Sequence, residues 1–294
     1  MAQHTAIQSA ETLAALRAMV AHESDLAVRC EDRLAQHFLG LKYQAVTRIR
    51  PRSLLRRILH LAAPGSYCFT IVRTRHFDEV LRSAIGSGIE QAVILGAGYD
   101  SRAFRFQQQL ERIKVFEIDH PGTQARKRRM LAKVDKKSPA NLSYLPVDFN
   151  RQSFQTALLD HGFSLERKTL FLWEGVSYYL PRPVVEGVLD FVGGCAAGSS
   201  IVFDYAIKDF VDGDTSTYGG KHVAKWLKKI REPFLFGLDP EETGAFLARR
   251  RLRVVSDLGP EALETTYLTT RNGLCLGQSL GHVRFVHATA TGVP

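Results

Sequence analysis

Cysteine is scarce and scattered in this chain of 294 residues. Its four cysteines are Cys30, Cys68, Cys195 and Cys275, and no two of them form a C-x-x-C pair. This spacing excludes the usual zinc motifs and the disulfide framework of small secreted proteins. It is typical of a protein kept in a reducing compartment, so we expect a cytoplasmic protein.

Long apolar runs are also missing. No window approaches 18 consecutive apolar residues, and residues 1–25 lack the basic start and unbroken apolar stretch of a signal peptide. We find no internal repeat and no low-complexity segment. The sequence therefore predicts a globular protein with no membrane-spanning segment.

Acidic residues are outnumbered, 30 against 39 basic ones, which gives a formal net charge of +9. Basic runs at 126–129 and 249–251 account for part of the excess. Such runs are usually solvated faces of helices, although a nucleic acid or an anionic substrate remains an alternative partner. Nucleic acid is the less favoured of these partners.

Several catalytic signatures are absent. The sequence contains no P-loop, no H-E-x-x-H metal motif and no G-x-S-x-G nucleophile motif. The Asn-Pro-Pro-aromatic segment associated with methylation of base amino groups is missing, as is a cysteine placed after a proline as a nucleophile. No metal site is predicted.

Two regions with different patterns are present. The first 88 residues read as helices, and we expect them at 11–29, 31–39, 53–61 and 75–84. From residue 89 onward, short apolar strands alternate with helical segments. We therefore predict an N-terminal helical cap at 1–88 and a core at 89–294.

The core pattern predicts a doubly wound α/β sheet of seven strands, because near-continuous apolar strands joined by helices form parallel sheets covered on both faces. In such sheets ligands bind beyond the carboxyl ends of the strands. The strands are expected at 91–95, 114–118, 142–147, 169–173, 200–204, 252–256 and 282–288.

A glycine loop, Gly96-Ala97-Gly98, follows the first of these strands. Glycine allows a close approach of the backbone to a ligand. A dinucleotide loop would carry Gly or Ala where Ser101 stands, and the carboxylate of Asp100 would repel a pyrophosphate. The loop therefore favours S-adenosylmethionine (SAM) over a nicotinamide cofactor, with a purely structural turn as the alternative.

Carboxylates follow the next three strands. Asp119 ends the second strand and suits hydrogen bonds to ribose hydroxyls, although Glu117 faces the same side and could take that role. Asp148 with Phe149 follows the third strand, where an adenine site and a helix N-cap are equally good interpretations. Glu174 ends the fourth strand, and burial without a partner would be costly, which favours a place beside the cofactor.

These segments together resemble the leucine carboxyl methyltransferase family, in particular its bacterial branch of SAM-dependent O-methyltransferases. The spacing is kept over roughly residues 60–260. The matching motifs are VRTR at 72–75, ILGAGYDSR at 94–102, EIDHP at 117–121, VDF at 147–149 and EGVSYYL at 174–180, with weaker similarity in PFLFGL at 233–238.

The resemblance implies a site for SAM and its product S-adenosylhomocysteine. It implies that Arg73 pairs with the methionine carboxylate and that Gly96, Ala97 and Gly98 line the methionine moiety. The other implied contacts are Asp119 with the ribose, Asp148 and Phe149 with the adenine, and Glu174 with the methionyl amino group. The segment 208–226 matches no family pattern and is expected to cover the substrate.

The expected activity is O-methylation of a carboxylate or hydroxyl of a small molecule or peptide. A carboxylate needs no general base, whereas a hydroxyl would gain from one, for which His120, His222 and Tyr178 are candidates without assignment. Methylation of RNA and a non-catalytic SAM-binding role are the alternatives. The acceptor and the oligomeric state cannot be inferred from the sequence.

Overall fold

The fold is described by a computed structural model that covers residues 2–47, 49, 52–148 and 153–292. Within these ranges, the side chains of 2–9, 41, 42, 46 and 52 are left out of the description. Phe149, predicted to pack on adenine, lies outside the described residues.

A single sheet organises the molecule, with strand order β3-β2-β1-β4-β5-β8-β7 and β6 paired with β5. All pairings are parallel except those of β8, which runs antiparallel to β5 and β7. The strands are Gln91–Leu95 (β1), Lys114–Asp119 (β2), Leu142–Pro146 (β3), Thr169–Trp173 (β4), Ser200–Ile207 (β5), Gly237–Leu238 (β6), Leu252–Leu258 (β7) and Val283–Ala290 (β8). The predicted doubly wound sheet is confirmed, with β6 as a short addition.

Twelve α-helices surround the sheet in the described residues, with short 3₁₀ helices at Arg33–Phe38 and Ser177–Tyr179. The helices are Ala2–Val20 (α1), Leu41–Thr47 (α2), Arg52–Ala62 (α3), Ser66–Gly86 (α4), Arg102–Arg105 (α5), Pro121–Ala132 (α6), Phe154–Asp160 (α7), Arg182–Gly193 (α8), Lys208–Val211 (α9), Gly220–Ile230 (α10), Thr243–Ala248 (α11) and Pro260–Tyr267 (α12).

Several predicted helices were wrong in extent or type. Helix α1 ends at Val20 rather than at residue 29, because Glu23 and Asp25 accept hydrogen bonds from nearby backbone N–H groups and so stabilise turns instead. The segment predicted at 31–39 is a 3₁₀ helix at Arg33–Phe38, and α4 begins at Ser66 rather than at the predicted residue 75. After α5 ends at Arg105, the buried Phe106 and Leu110 keep a helical spacing, but the chain forms turns there.

Helix α4 connects the N-terminal helices to the sheet. Its second half packs Phe77 and Leu81 against the sheet residues Ile94 and Leu172. Its first half packs with α1 in a second apolar cluster. Arg73 lies between the two halves, so the helix holds this side chain above the carboxyl ends of β1 and β4. The division at residue 88 stays a prediction.

Candidate functional site

The loop after β1 requires glycine. Gly96 and Gly98 have φ of +65° and +47°, in the left-handed region that favours glycine. A Cβ at Gly96 would lie 2.5 Å from Val176 Cγ2. A Cβ at Gly98 would lie 3.9 Å from the Cβ of Ala10, so α1 passes directly over the loop.

The two acids of β2 have different surroundings. Asp119 accepts hydrogen bonds from the backbone N–H groups of Gly98 and His120 at the edge of the sheet. Glu117 is fully buried, and its Oε2 lies 2.6 Å from the Nζ of the equally buried Lys127. Burial raises the pKa of Glu117 to about 7 despite this lysine, and burial also raises the pKa of Asp119. Only Asp119 therefore stands beside the glycine loop, which favours it for the predicted ribose contact.

A buried network of arginines and carboxylates lies beyond β4. Arg73 Nε lies 3.1 Å from Glu174 Oε1, and Arg73 Nη1 lies 3.5 Å from Asp204 Oδ2. Arg102 Nη1 lies 2.7 Å from Glu174 Oε2 and also pairs with Asp100. Glu174 thus joins two guanidinium groups, and two of the predicted cofactor residues, Arg73 and Glu174, lie side by side.

The protonation of this network follows from burial and pairing. Burial opposes the ionisation of Glu174, but Arg102 and Arg73 outweigh it and lower the pKa of this carboxyl. Burial raises the pKa of Asp204 to about 6, although Arg73 and the Gly175 N–H act in the opposite direction. Glu174 is therefore ionised at neutral pH, whereas ionisation of Asp204 costs the folded state free energy.

Sequence reasoning missed Asp204. It lies within the buried strand β5, where Oδ1 accepts a 2.7 Å hydrogen bond from the Gly175 N–H. Glu174 was singled out because it emerges from an apolar strand. A carboxylate within the apolar segment SIVFDYAI is a related signal that could have found Asp204.

Asp148 follows β3 at the same edge and is half-buried. The strands β1, β2, β3 and β4 are parallel neighbours, so their carboxyl ends carry Gly96, Asp119, Asp148 and Glu174 in one row. This edge is where parallel α/β sheets bind ligands.

The three candidate general bases differ in their surroundings. His120 Nδ1 accepts a 3.2 Å hydrogen bond from the Gly122 N–H and caps α6. Tyr178 is buried, and burial raises the pKa of its hydroxyl well above the ordinary range, so it stays protonated. His222 is exposed on α10.

The predicted substrate-covering segment borders a cavity of about 670 Å³ at the carboxyl end of β7 and the start of β8. Thr217 and Tyr218 of that segment line it together with Glu261, Glu264 and Arg284. None of the predicted cofactor residues is among its lining residues. The cavity is thus separate from the row of carboxylates.

The sequence suggested that the basic runs are solvated faces of helices. In the structure, several of their side chains instead form ion pairs within the protein. Lys127 is buried on Glu117, and Arg126 Nη2 lies 3.2 Å from Glu11 Oε2. Arg250 Nη2 lies 2.9 Å from Glu186 Oε1 and stacks on Phe246. Several of these cations therefore form ion pairs within the protein.

The described residues hold neither a membrane-spanning helix nor a cluster of metal ligands. In the part of the chain that the structure covers, no helix is long and apolar enough to cross a membrane. Within the same part, no three His, Cys, Asp or Glu side chains gather in a group that could hold a metal ion.

The sheet order, the single antiparallel strand and the glycine loop followed by carboxylates define the class of SAM-dependent methyltransferases with a Rossmann-like core. Comparison with known proteins agrees. The sequence model of the leucine carboxyl methyltransferase family matches residues 10–193, and the chain belongs to this family.

Relatives and solved structures support the same assignment. A candidate SAM-dependent methyltransferase of Bacillus subtilis, YktD, is 31% identical over 68% of this chain and 66% of its own length. Another from Mycobacterium ulcerans is 28% identical over 82% of this chain and 79% of its own length. The crystal structure of a candidate methyltransferase from Thermobifida fusca has a TM-score of 0.59 at 14% identity, covering 96% of this chain and 94% of that one. This last likeness concerns the fold alone.

Proposed function

We propose that the chain transfers a methyl group from SAM to an oxygen atom of a small molecule, with a carboxylate as the first acceptor to test and a hydroxyl as the second. The observation that carries the proposal is the row of ligand-type groups at one sheet edge, with the buried Arg73–Glu174 pair at its end. The residues proposed to hold the cofactor are Arg73, Gly96, Ala97, Gly98, Asp119, Asp148, Phe149 and Glu174.

The residues suit SAM in charge as well as position. At neutral pH the cofactor carries a sulfonium, an ammonium and a carboxylate, and so one net positive charge. The buried network has one more carboxylate than arginine, a formal charge that complements it. Its members are Arg17, Arg73, Arg102 and Arg105 with Asp32, Asp78, Asp100, Glu174 and Asp204.

The imperfect hydrogen-bond geometry around Arg73 and Glu174 also favours a polar ligand. Nε and Nη1 of Arg73 and Oε2 of Glu174 are buried without well-directed hydrogen bonds, although they stand in ion pairs. A methionine carboxylate can accept from the Arg73 guanidinium, and its ammonium can donate to Glu174. Asp119 is proposed to accept hydrogen bonds from the ribose hydroxyls, and Gly98 lets the backbone approach the ligand closely.

The chemistry of the acceptor follows from what these residues can do. Bound SAM supplies an electrophilic methyl group on sulfur, so the chain must align an oxygen nucleophile with it. Tyr178 stays protonated and His120 caps a helix, so neither serves as a ready general base. An acceptor that is already ionised, such as a carboxylate, needs none. The family's description, leucine carboxyl methyltransferase, supports the same acceptor group.

The acceptor is proposed to enter from the side of the segment 208–226. The cavity lined by Thr217 and Tyr218 lies at the carboxyl end of β7, on the same edge of the sheet as the cofactor residues. From this position a molecule would have to reach past β8 and β5 toward Glu174.

Methyl transfer to a panel of carboxylic acids and phenols tests the proposal, with S-adenosylhomocysteine release as the readout. A carboxylate is fully ionised above pH 7, so its turnover should change less than about threefold between pH 7 and 9. A phenol used without a base would instead react about tenfold faster per pH unit. Turnover of phenols alone would contradict a carboxylate acceptor, and RNA as the only acceptor would contradict a small-molecule one.

A further inference from the structure

Part of the apolar surface of helix α3 is exposed to solvent. Leu55 is fully buried and Leu59 packs against the apolar cluster of the N-terminal helices. Leu54, Ile58 and Leu61, which follow each other at spacings of four and three residues, are 46%, 44% and 77% exposed. Residues at this spacing lie on one side of a helix, so they form a continuous exposed apolar stripe.

Basic residues predominate in the sequence of the two segments that contain α3 and α10, and one of them, Arg56, is paired with Glu23. The segments 41–65 and 219–231, which contain α3 and α10, hold eleven of the chain's 39 basic residues and none of its 30 acidic ones. The rest of the chain is therefore close to neutral. On α10 the side chains of Lys221, Lys225, Lys228 and Lys229 are exposed.

The two helices meet at their ends. The Tyr218 hydroxyl lies 3.1 Å from His60 Nδ1, which joins the segment before α10 to the last turn of α3. Gly219 approaches the Pro64 carbonyl so closely that a Cβ on it would lie 2.6 Å from that oxygen. We call α3 and α10 with their exposed side chains the basic-apolar surface.

We infer that the basic-apolar surface docks on an anionic phospholipid bilayer, with α3 lying in the interface. Aliphatic side chains on one side of a helix and cations beside them are the features of interfacial helices. Nucleic acid complements the cations but offers the three aliphatic side chains no apolar phase. A second copy of the chain would bring like charges together. The bilayer alone matches both features.

Docking would place the cavity beside the membrane. Tyr218, which contacts α3 through His60, is one of its lining residues. A lipophilic acceptor could then reach the cavity from the bilayer, but the inference does not depend on the identity of the acceptor.

Sedimentation of the full chain with vesicles tests the inference. Vesicles of phosphatidylcholine alone are compared with vesicles of equal parts phosphatidylcholine and phosphatidylglycerol. We expect binding to the anionic vesicles only, and we expect it to weaken as salt is raised, because exposed charges are screened. Equal binding to both vesicles, or binding to neither, would overturn the inference.

Matched variants separate the two features. The triple variant Leu54→Ser, Ile58→Ser, Leu61→Ser should lower partitioning at least about tenfold, whereas Leu159→Ser with Leu274→Ser, two exposed leucines elsewhere, should leave it unchanged. Lys225→Glu with Lys229→Glu should lower it at least about tenfold. Lys136→Glu with Lys137→Glu has the same net charge and exposed positions, and should have a far smaller effect.

Two results would assign the surface to another partner. A dimer of the wild-type chain without lipid that the triple variant abolishes would assign it to a second copy. Salt-sensitive RNA binding without vesicle binding would assign it to nucleic acid. If the triple variant does not fold, Leu61→Ser alone changes the most exposed of the three side chains, and unchanged vesicle binding of that variant would count against the inference.

Discussion

At the scale of single residues, Asp204 is the buried carboxyl group whose ionisation most affects the charge of the site. It is fully buried, touches Arg73 and fixes the backbone N–H of Gly175. Arg73 in turn stands between Asp204 and Glu174. A change in the charge of Asp204 is therefore transmitted to the arginine proposed to hold the cofactor.

Asp204→Asn should change how stability depends on pH. Because burial raises the pKa of Asp204 to about 6, ionisation costs the folded state free energy as pH rises from about 4 to about 6. Asparagine lacks that cost. The free energy of unfolding of the wild type relative to Asp204→Asn should fall by up to about 3 kcal/mol over this range and then stay constant.

Urea unfolding at several pH values measures this difference. Asp160→Asn, at an exposed position at the end of α7, is the control and should show no such trend. A difference between wild type and Asp204→Asn that grows in favour of the wild type as pH rises would refute the assigned cost of ionisation.

The sequence identified the motif residues of the site, but not the residues that pair with them. Asp119, Glu174 and Arg73 stand in recognisable motifs, so they could be singled out. The contact between Arg73 and Asp204 joins positions 131 apart, and nothing local in the sequence encodes it. Pairing in the folded structure also explains why Lys127 and Arg250 were taken for surface charges.

At the scale of elements, helix α8 depends on a close approach that only glycine permits. A Cβ on Gly193 would lie 1.9 Å from the backbone oxygen of Arg250, just before β7. Gly187 in the same helix has no atom within 4 Å of the position of its Cβ. The two glycines therefore form a matched pair for testing the packing.

Gly193→Ala should destabilise the protein by about 1–3 kcal/mol, because the backbone must move to remove the overlap. Gly187→Ala should be neutral or stabilising by up to about 1 kcal/mol, since alanine favours a helix. Thermal or urea unfolding measures both. Equal effects of the two substitutions would show that α8 does not pack against the Arg250 carbonyl as described.

Element boundaries were predictable where burial alone decides them. The fully buried strands β1 and β4 match the predicted ranges, because both faces of a central strand are covered and the apolar run is unbroken. The end of α1 was not predictable from periodicity, because Glu23 and Asp25 stabilise turns through their own side chains. Strand β6 has only two residues and leaves no pattern.

At the scale of the whole molecule, the N-terminal helices contact the core around the glycine loop. Arg17 Nε of α1 lies 2.9 Å from Asp32 Oδ2, and Asp32 accepts a 2.7 Å hydrogen bond from the Ser101 hydroxyl. Phe38 stacks on Tyr99. The proposed cofactor site thus draws on segments from both ends of the 1–88 region and on four strands of the sheet.

The central claim is that Asp119 and the glycine loop hold SAM, and calorimetric binding of S-adenosylhomocysteine tests it most directly. The wild type should bind it and should not bind NADH. Asp119→Asn should weaken binding at least about tenfold, since it removes charge-assisted hydrogen bonds to the ribose, whereas Asp160→Asn should bind as the wild type does. Wild-type affinity in Asp119→Asn, or binding of NADH in place of S-adenosylhomocysteine, would contradict the account.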